Sequence, residues 1–232
     1  MVSIHVADVG ARRALRLLRR APSAGSIDGL RHANVAAAIP FSATSIPRPS
    51  LRRAALIGFW DSTEAVERFA DSQALADEFA DGWRATLQPL RVHGSWPGLP
   101  DGIPRGRTTD YNGPAVVLTL GRVRLPRALR FLRTSSPAEH AAVAAPGAIW
   151  SSALVRPPFV STLSLWESVA ALSAFAYGQG VAPHPAAIAA DRAKPFHHRS
   201  AFIRFRPLGV AGSLDGRNPL ASGAFGSAAP SG

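Results

Sequence analysis

Strict alternation opens the chain: Val2, Ile4 and Val6 are apolar while Ser3 and His5 are polar, the two-residue period of a half-buried strand. Apolar runs over 115–120, 54–60 and 159–166 predict three more strands, and 90–96 and 200–206 a further two. After two of these strands the period changes to helical. Arg13-Ala14-Leu15-Arg16-Leu17-Leu18 follows the first, and Arg127-Ala128-Leu129-Arg130-Phe131-Leu132 follows the run from Ala115 to Leu120. A second helical pattern is also doubled. The stretch from Phe59-Trp60-Asp61-Ser62 to Phe69-Ala70 is echoed from Leu165-Trp166-Glu167-Ser168 to Phe175-Ala176.

Arg13 to Arg127 is a step of 114 positions and Trp60 to Trp166 one of 106, so the matches keep their order and differ only by a loop length. This predicts an α+β chain of two tandem ferredoxin-like repeats, each βαββαβ. The expected boundaries are 1–96 for the first repeat, 97–113 for a linker rich in Pro, Gly, Arg and Asp, 114–210 for the second repeat, and 211–232 for a C-terminal tail, disordered after 220. Asp61 or Ser62 is placed to cap one helix and Ser168 the other, and the acids beside Trp60 and Trp166 lie where a helix N-terminus favours negative charge. Two such halves can join their sheets around a central apolar cavity, with Trp166, Phe175 and Tyr177 as candidate lining.

Composition narrows the chemistry. The 232 residues are 47% hydrophobic, enough for a core without staples, and contain no cysteine. That excludes disulfides, thiolate metal ligation and a cysteine nucleophile, so a metal would need His or carboxylate ligands. No leader pattern precedes Val2 and no apolar run reaches membrane-spanning length, which predicts a cytoplasmic protein. The net charge is +11, and Lys194 is the single lysine among 26 basic residues. RNA-binding signatures and paired Cys/His zinc modules are missing, so no nucleic-acid partner is expected. Arg12, Arg16, Arg19 and Arg20 share one predicted helix with Leu15 and Leu18, a basic amphipathic segment suited to peripheral contact with an acidic membrane. Dinucleotide, P-loop, zinc-protease and nucleophile-elbow patterns are absent.

The block Leu163-Ser164-Leu165-Trp166-Glu167-Ser168, the downstream His184, the run Ala201 to Leu208 and the closing Asp215-Gly216-Arg217-Asn218-Pro219-Leu220 resemble the spheroidene monooxygenase family of carotenoid biosynthesis. The resemblance implies a dimeric α+β barrel and an O2-dependent oxidation of a hydrophobic, polyene-type substrate with haem as cofactor. No flavin or nicotinamide site is visible, so electrons would come from an external donor. With no cysteine, a haem iron would take a histidine, or less often a tyrosine. Of the seven histidines, His184 is the candidate metal ligand: Pro185 fits the first position of a helix, which would project the ring towards the sheet. The alternative for His184 is a cap or surface role. Arg204 and Arg206, two apart on the last predicted strand, would pair with haem propionates or face water. Two other readings stay open: a non-catalytic ligand-binding protein on the same barrel, and a cofactor-free monooxygenase.

Overall fold

In a computed structural model, described for residues 1–41, 51–106, 109–124, 142–177 and 197–220, the alternation of the first strand becomes one stave of a closed barrel. The elements run β1 (Val2–Asp8), α1 (Ala11–Arg19), β2 (Leu30–Pro40), β3 (Arg53–Trp60), α2 (Thr63–Ser72), α3 (Ala74–Asp77), β4 (Trp83–Gly94), β5 (Ala115–Val123), β6 (Ala148–Arg156), β7 (Phe159–Trp166), α4 (Val169–Tyr177) and β8 (His197–Gly212). Around the barrel the order is β1-β3-β2-β6-β7-β5-β8-β4, antiparallel at every joint. Within the first four strands β1 pairs with β3 and β4, and β3 with β2; within the last four β5 pairs with β7 and β8, and β7 with β6. The seams β2–β6 and β4–β8 join the two sets and leave no open edge. The predicted helix over 127–132 lies outside the described residues.

The two-residue period sorts the side chains. Val2, Ile4 and Val6 join Phe59, Leu87, Leu118, Leu163, Phe205 and others in one apolar interior fed by all eight strands. The opposite faces pack beneath helices. Ala14 and Leu17 of α1 and Val66 and Phe69 of α2 cover Leu56, Val35 and Trp60, while Val169 and Leu172 of α4 cover Trp166, Ala115 and Val117. The aromatic–acid echo has a common structural use. Trp60 and Trp166 end their strands facing outwards, their indole N–H groups donate to Ser3 Oγ and Ser164 Oγ at 2.9 Å, and their rings lie against Phe69 and Phe175. Ser62 and Ser168 accept from the backbone N–H of Ala65 and Ala171, as their predicted capping role requires. Among the described residues no helix is long and apolar enough to cross a membrane.

The strands are longer than the pattern predicts. The strand expected at Leu90 begins at Trp83, and the one expected to stop at Arg206 continues to Gly212. Pro89 and Pro207, just outside the predicted bounds, are accommodated beside slips in the β4–β8 register. Beyond β8 the Asp215-Gly216 turn, both residues at positive φ, returns the chain so that Leu214 and Leu220 enter the barrel interior. Arg53 Nη2 donates to Asp215 Oδ1 at 2.6 Å and fastens that turn to β3.

His5 faces away from the barrel interior but is 3% exposed, edge-on to Phe69 and close to Phe79. Burial, reinforced by Arg84, lowers its pKa from 6.5 to about 4. Below pH 6.5 the unfolded chain therefore takes up a proton that the folded chain refuses. Stability is fully present above pH 6.5 and falls progressively as the pH drops towards 4, by at most about 3 kcal/mol. Urea unfolding of the wild type and His5→Leu between pH 7 and 4 isolates this contribution. A difference between the two that does not change with pH would show that His5 titrates freely in the fold.

Candidate functional site

The candidate site grows from the outer face of the barrel, where β4, β8 and β5 lie side by side. Arg204 is opposite Arg91 on one side and Val117 on the other, between the inward-facing Ile203 and Phe205. Alternation therefore turns its side chain outwards, onto the face that carries α4. The residue is 1% exposed, and neither Nε nor Nη2 has a hydrogen-bond partner. Burial lowers its pKa, with Tyr177 opposing the effect and Arg91 adding to it. A guanidinium keeps its proton at such a site, so the fold holds a desolvated cation.

Its neighbours do not neutralise it. Arg91 donates from Nη1 to the Tyr177 hydroxyl at 2.8 Å, and its own Nε is buried without a partner. Arg206 is half-buried and donates from Nε to Gln88 Oε1 at 2.6 Å. Among the described residues no ion pair reaches Arg91, Arg204 or Arg206. Three arginines on two adjacent strands thus form a cationic cradle with unused donors, suited to a carboxylate or another small anion.

The predicted site residues separate into two groups. Arg204, Arg206 and Tyr177 come together at the cradle. Trp166 lies beneath α4 against Phe175 of that helix, ring centroids 5.2 Å apart, and both are packed outside the barrel interior. His184 lies outside the described residues, as does His140. Of the other histidines, His5 is buried against Phe69 and Phe79, His32 is on β2, and His198 is exposed. His93 is on β4 opposite Phe202, two residues from Arg91 and on the same outer face. Arg91 was missed because its meaning depends on a cross-strand partner more than a hundred positions away; only the β4–β8 register reveals it.

The barrel interior is filled by side chains, including Trp83, Phe59, Phe159 and Phe205. Two clefts of about 180 and 120 Å³ lie elsewhere, lined by Asp8, Arg53 and Asp215 and by Phe41, Trp150 and Ser151. Both fall short of the roughly 300 Å³ at which small-molecule pockets begin, and neither touches Arg204. Of the donors that haem propionates would need, Arg204 Nε and Nη2 and Arg91 Nε are buried without partners, while Arg206 Nε is taken by Gln88. Among the described residues no group of three or more His, Asp or Glu side chains is placed to hold a metal ion.

The fold defines the class: a closed antiparallel α+β barrel with helices outside. An aldoxime dehydratase solved in complex with butyraldoxime shares the fold, with a TM-score of 0.51 at 9% identity over 89% of this chain and 78% of its own. A heme-degrading enzyme from Listeria monocytogenes matches at a TM-score of 0.30 and 13% identity, covering 87% of this chain and 98% of its own. No family model matches the chain. The spheroidene monooxygenase of Rubrivivax gelatinosus is 30% identical over 176 residues, 73% of this chain and 66% of its own length. That of Rhodobacter capsulatus is 29% identical over 187 residues, 76% of this chain and 75% of its own. The chain belongs to the spheroidene monooxygenase family. It spans 66% and 55% of the length of the Rubrivivax gelatinosus and Cereibacter sphaeroides relatives.

Proposed function

We propose that the chain is an O2-dependent oxidoreductase that inserts one oxygen atom into a C–H bond of a hydrophobic, polyene-type substrate. The other oxygen atom leaves as water, and an external donor provides two electrons, with two protons from solvent. The two halves are read as tandem ferredoxin-like repeats, since their strand pairings follow one pattern. Family membership supports the reaction class, and the buried Arg204, with Nε and Nη2 unused, supports the position of the site.

Haem is the cofactor proposed for this face; when bound, it would supply the iron for oxygen activation. Arg204 and Arg206 would hold its propionates, Arg91 would add positive potential, and the Tyr177 hydroxyl would keep Arg91 oriented. The sheet surface under α4, with Trp166, Val117 and Phe202, would exclude water from the apolar part of the ligand. His184 is proposed as the iron ligand.

The test is haemin reconstitution of the wild type, His184→Ala, His93→Ala and Arg204→Gln, followed by absorption spectroscopy and O2 uptake with a polyene substrate. The expected result is a Soret band that shifts in His184→Ala, and weaker haem retention in Arg204→Gln. A band altered only in His93→Ala would move the ligand to β4. Oxygen uptake with no Soret band would identify a cofactor-free monooxygenase. Neither uptake nor a band would leave a ligand-binding protein.

A further inference from the structure

We propose that α1 is a docking surface for an anionic lipid bilayer. The helix and its C-cap carry Arg12, Arg13, Arg16, Arg19 and Arg20, and its first turn contains no acid. Arg13 and Arg16 share one counter-charge, Glu78 of the turn after α3. Among the described residues no ion pair reaches Arg12, Arg19 or Arg20, and all three are exposed. The buried side of the helix is already used: Ala14 and Leu17 pack on the first sheet.

The feature that selects lipid is Leu15. It is 48% exposed, three residues after Arg12 and four before Arg19, so it stands on the same face as those two guanidiniums. A nucleic-acid phosphate backbone offers no apolar site for a leucine within a cationic patch. A bilayer accommodates both groups, because guanidiniums meet lipid phosphates while the leucine enters the acyl boundary. The side chain of Arg156, at the end of β6, reaches the Leu18 carbonyl at the C-terminal end of α1 and extends the positive charge there. The net charge of +11 acts in the same direction. This surface lies over β2 and β3, whereas the cradle lies at the β4–β8 seam, so the inference does not depend on the proposed reaction.

Flotation of the full chain with vesicles of phosphatidylcholine alone, or mixed with phosphatidylglycerol, tests it. Binding is expected only to the anionic vesicles. The triple variant Arg12→Gln, Arg19→Gln, Arg20→Gln should weaken it about 100-fold, from roughly 1 kcal/mol per arginine. Leu15→Gln should weaken vesicle binding several-fold while leaving retention on heparin unchanged, which separates lipid insertion from general polyanion binding. Thermal unfolding should show the variants folded, since the replaced side chains are exposed or partly so. Equal binding to both vesicle types, or a triple variant that binds like the wild type, would overturn the proposal. So would an unchanged Leu15→Gln paired with tighter binding to single-stranded RNA than to vesicles, which would assign the patch to nucleic acid.

Discussion

Arg204→Met is expected to give a protein that unfolds later and no longer holds an anionic ligand. Arg204 is 1% exposed with two unpartnered nitrogens, and Arg91 adds like charge beside it. A buried charge without a partner destabilises the folded state, and an apolar side chain of similar length removes that cost, for a gain of about 1–4 kcal/mol. In a chain of this size each kilocalorie moves the unfolding midpoint by roughly 2–4 °C. The same substitution removes the donors a carboxylate would use, which should cost about 2–5 kcal/mol of binding free energy. Haemin should therefore raise the unfolding midpoint of the wild type but leave that of the variant unchanged. Arg204→Lys should keep part of the charge effect and lose the forked donor geometry. If Arg204→Met is instead less stable than the wild type without ligand, the guanidinium contributes to the fold and the cradle assignment fails. The expected trade of stability for binding is what separates a ligand site from a structural arginine.

Strands marked by clean alternation or by a continuous apolar run were legible, and β2 was not. Val2 to Val6 and Phe159 to Trp166 announce themselves by period or by β-branched and aromatic content, and the structure places strands there. β2 contains Val35-Ala36-Ala37-Ala38, and alanine has no preference for a pleated surface, so nothing local marks it. Its place comes from the seam to β6, where Ala37 meets Val155 and Ile39 meets Ala153. β4 and β8 run past their predicted bounds through Pro89 and Pro207; each proline falls beside a register slip, where the ladder is already interrupted.

Legibility of the site was of a different kind. Arg204 and Arg206 could be picked out as a pair because two residues along a strand share a face, but burial cannot be read from an arginine code. Leu214 and Leu220 were assigned to a tail, and the long return of β8 brings both into the barrel. The Asp215-to-Leu220 motif that carried the family resemblance thus has a visible structural use, as the turn that closes one end of the barrel. Tyr177 was selected as an aromatic, whereas what the structure uses is its hydroxyl, which receives the Arg91 donor.

Trp83→Ala should be among the most damaging single substitutions outside the cradle. Trp83 is fully buried at the start of β4, opposite Val6 on one neighbour and Gly212 on the other. Its indole N–H donates to Asn218 Oδ1 at 3.2 Å, and the same oxygen accepts from the Leu220 backbone at 3.1 Å. The ring therefore joins the barrel interior to the C-terminal turn. Truncation to alanine leaves a cavity that close-packed neighbours fill only in part, at a cost of about 3–5 kcal/mol. Trp83→Phe keeps most of the volume and loses the indole donor, so it should cost about 1–2 kcal/mol. Urea unfolding of the three proteins measures both steps, and proteolysis should cut the alanine variant first after Gly212, where the turn loses its anchor. A cost below about 1 kcal/mol for Trp83→Ala would mean that the barrel interior is loosely packed there. It would also reopen the interior as a ligand cavity, at the expense of the outer face.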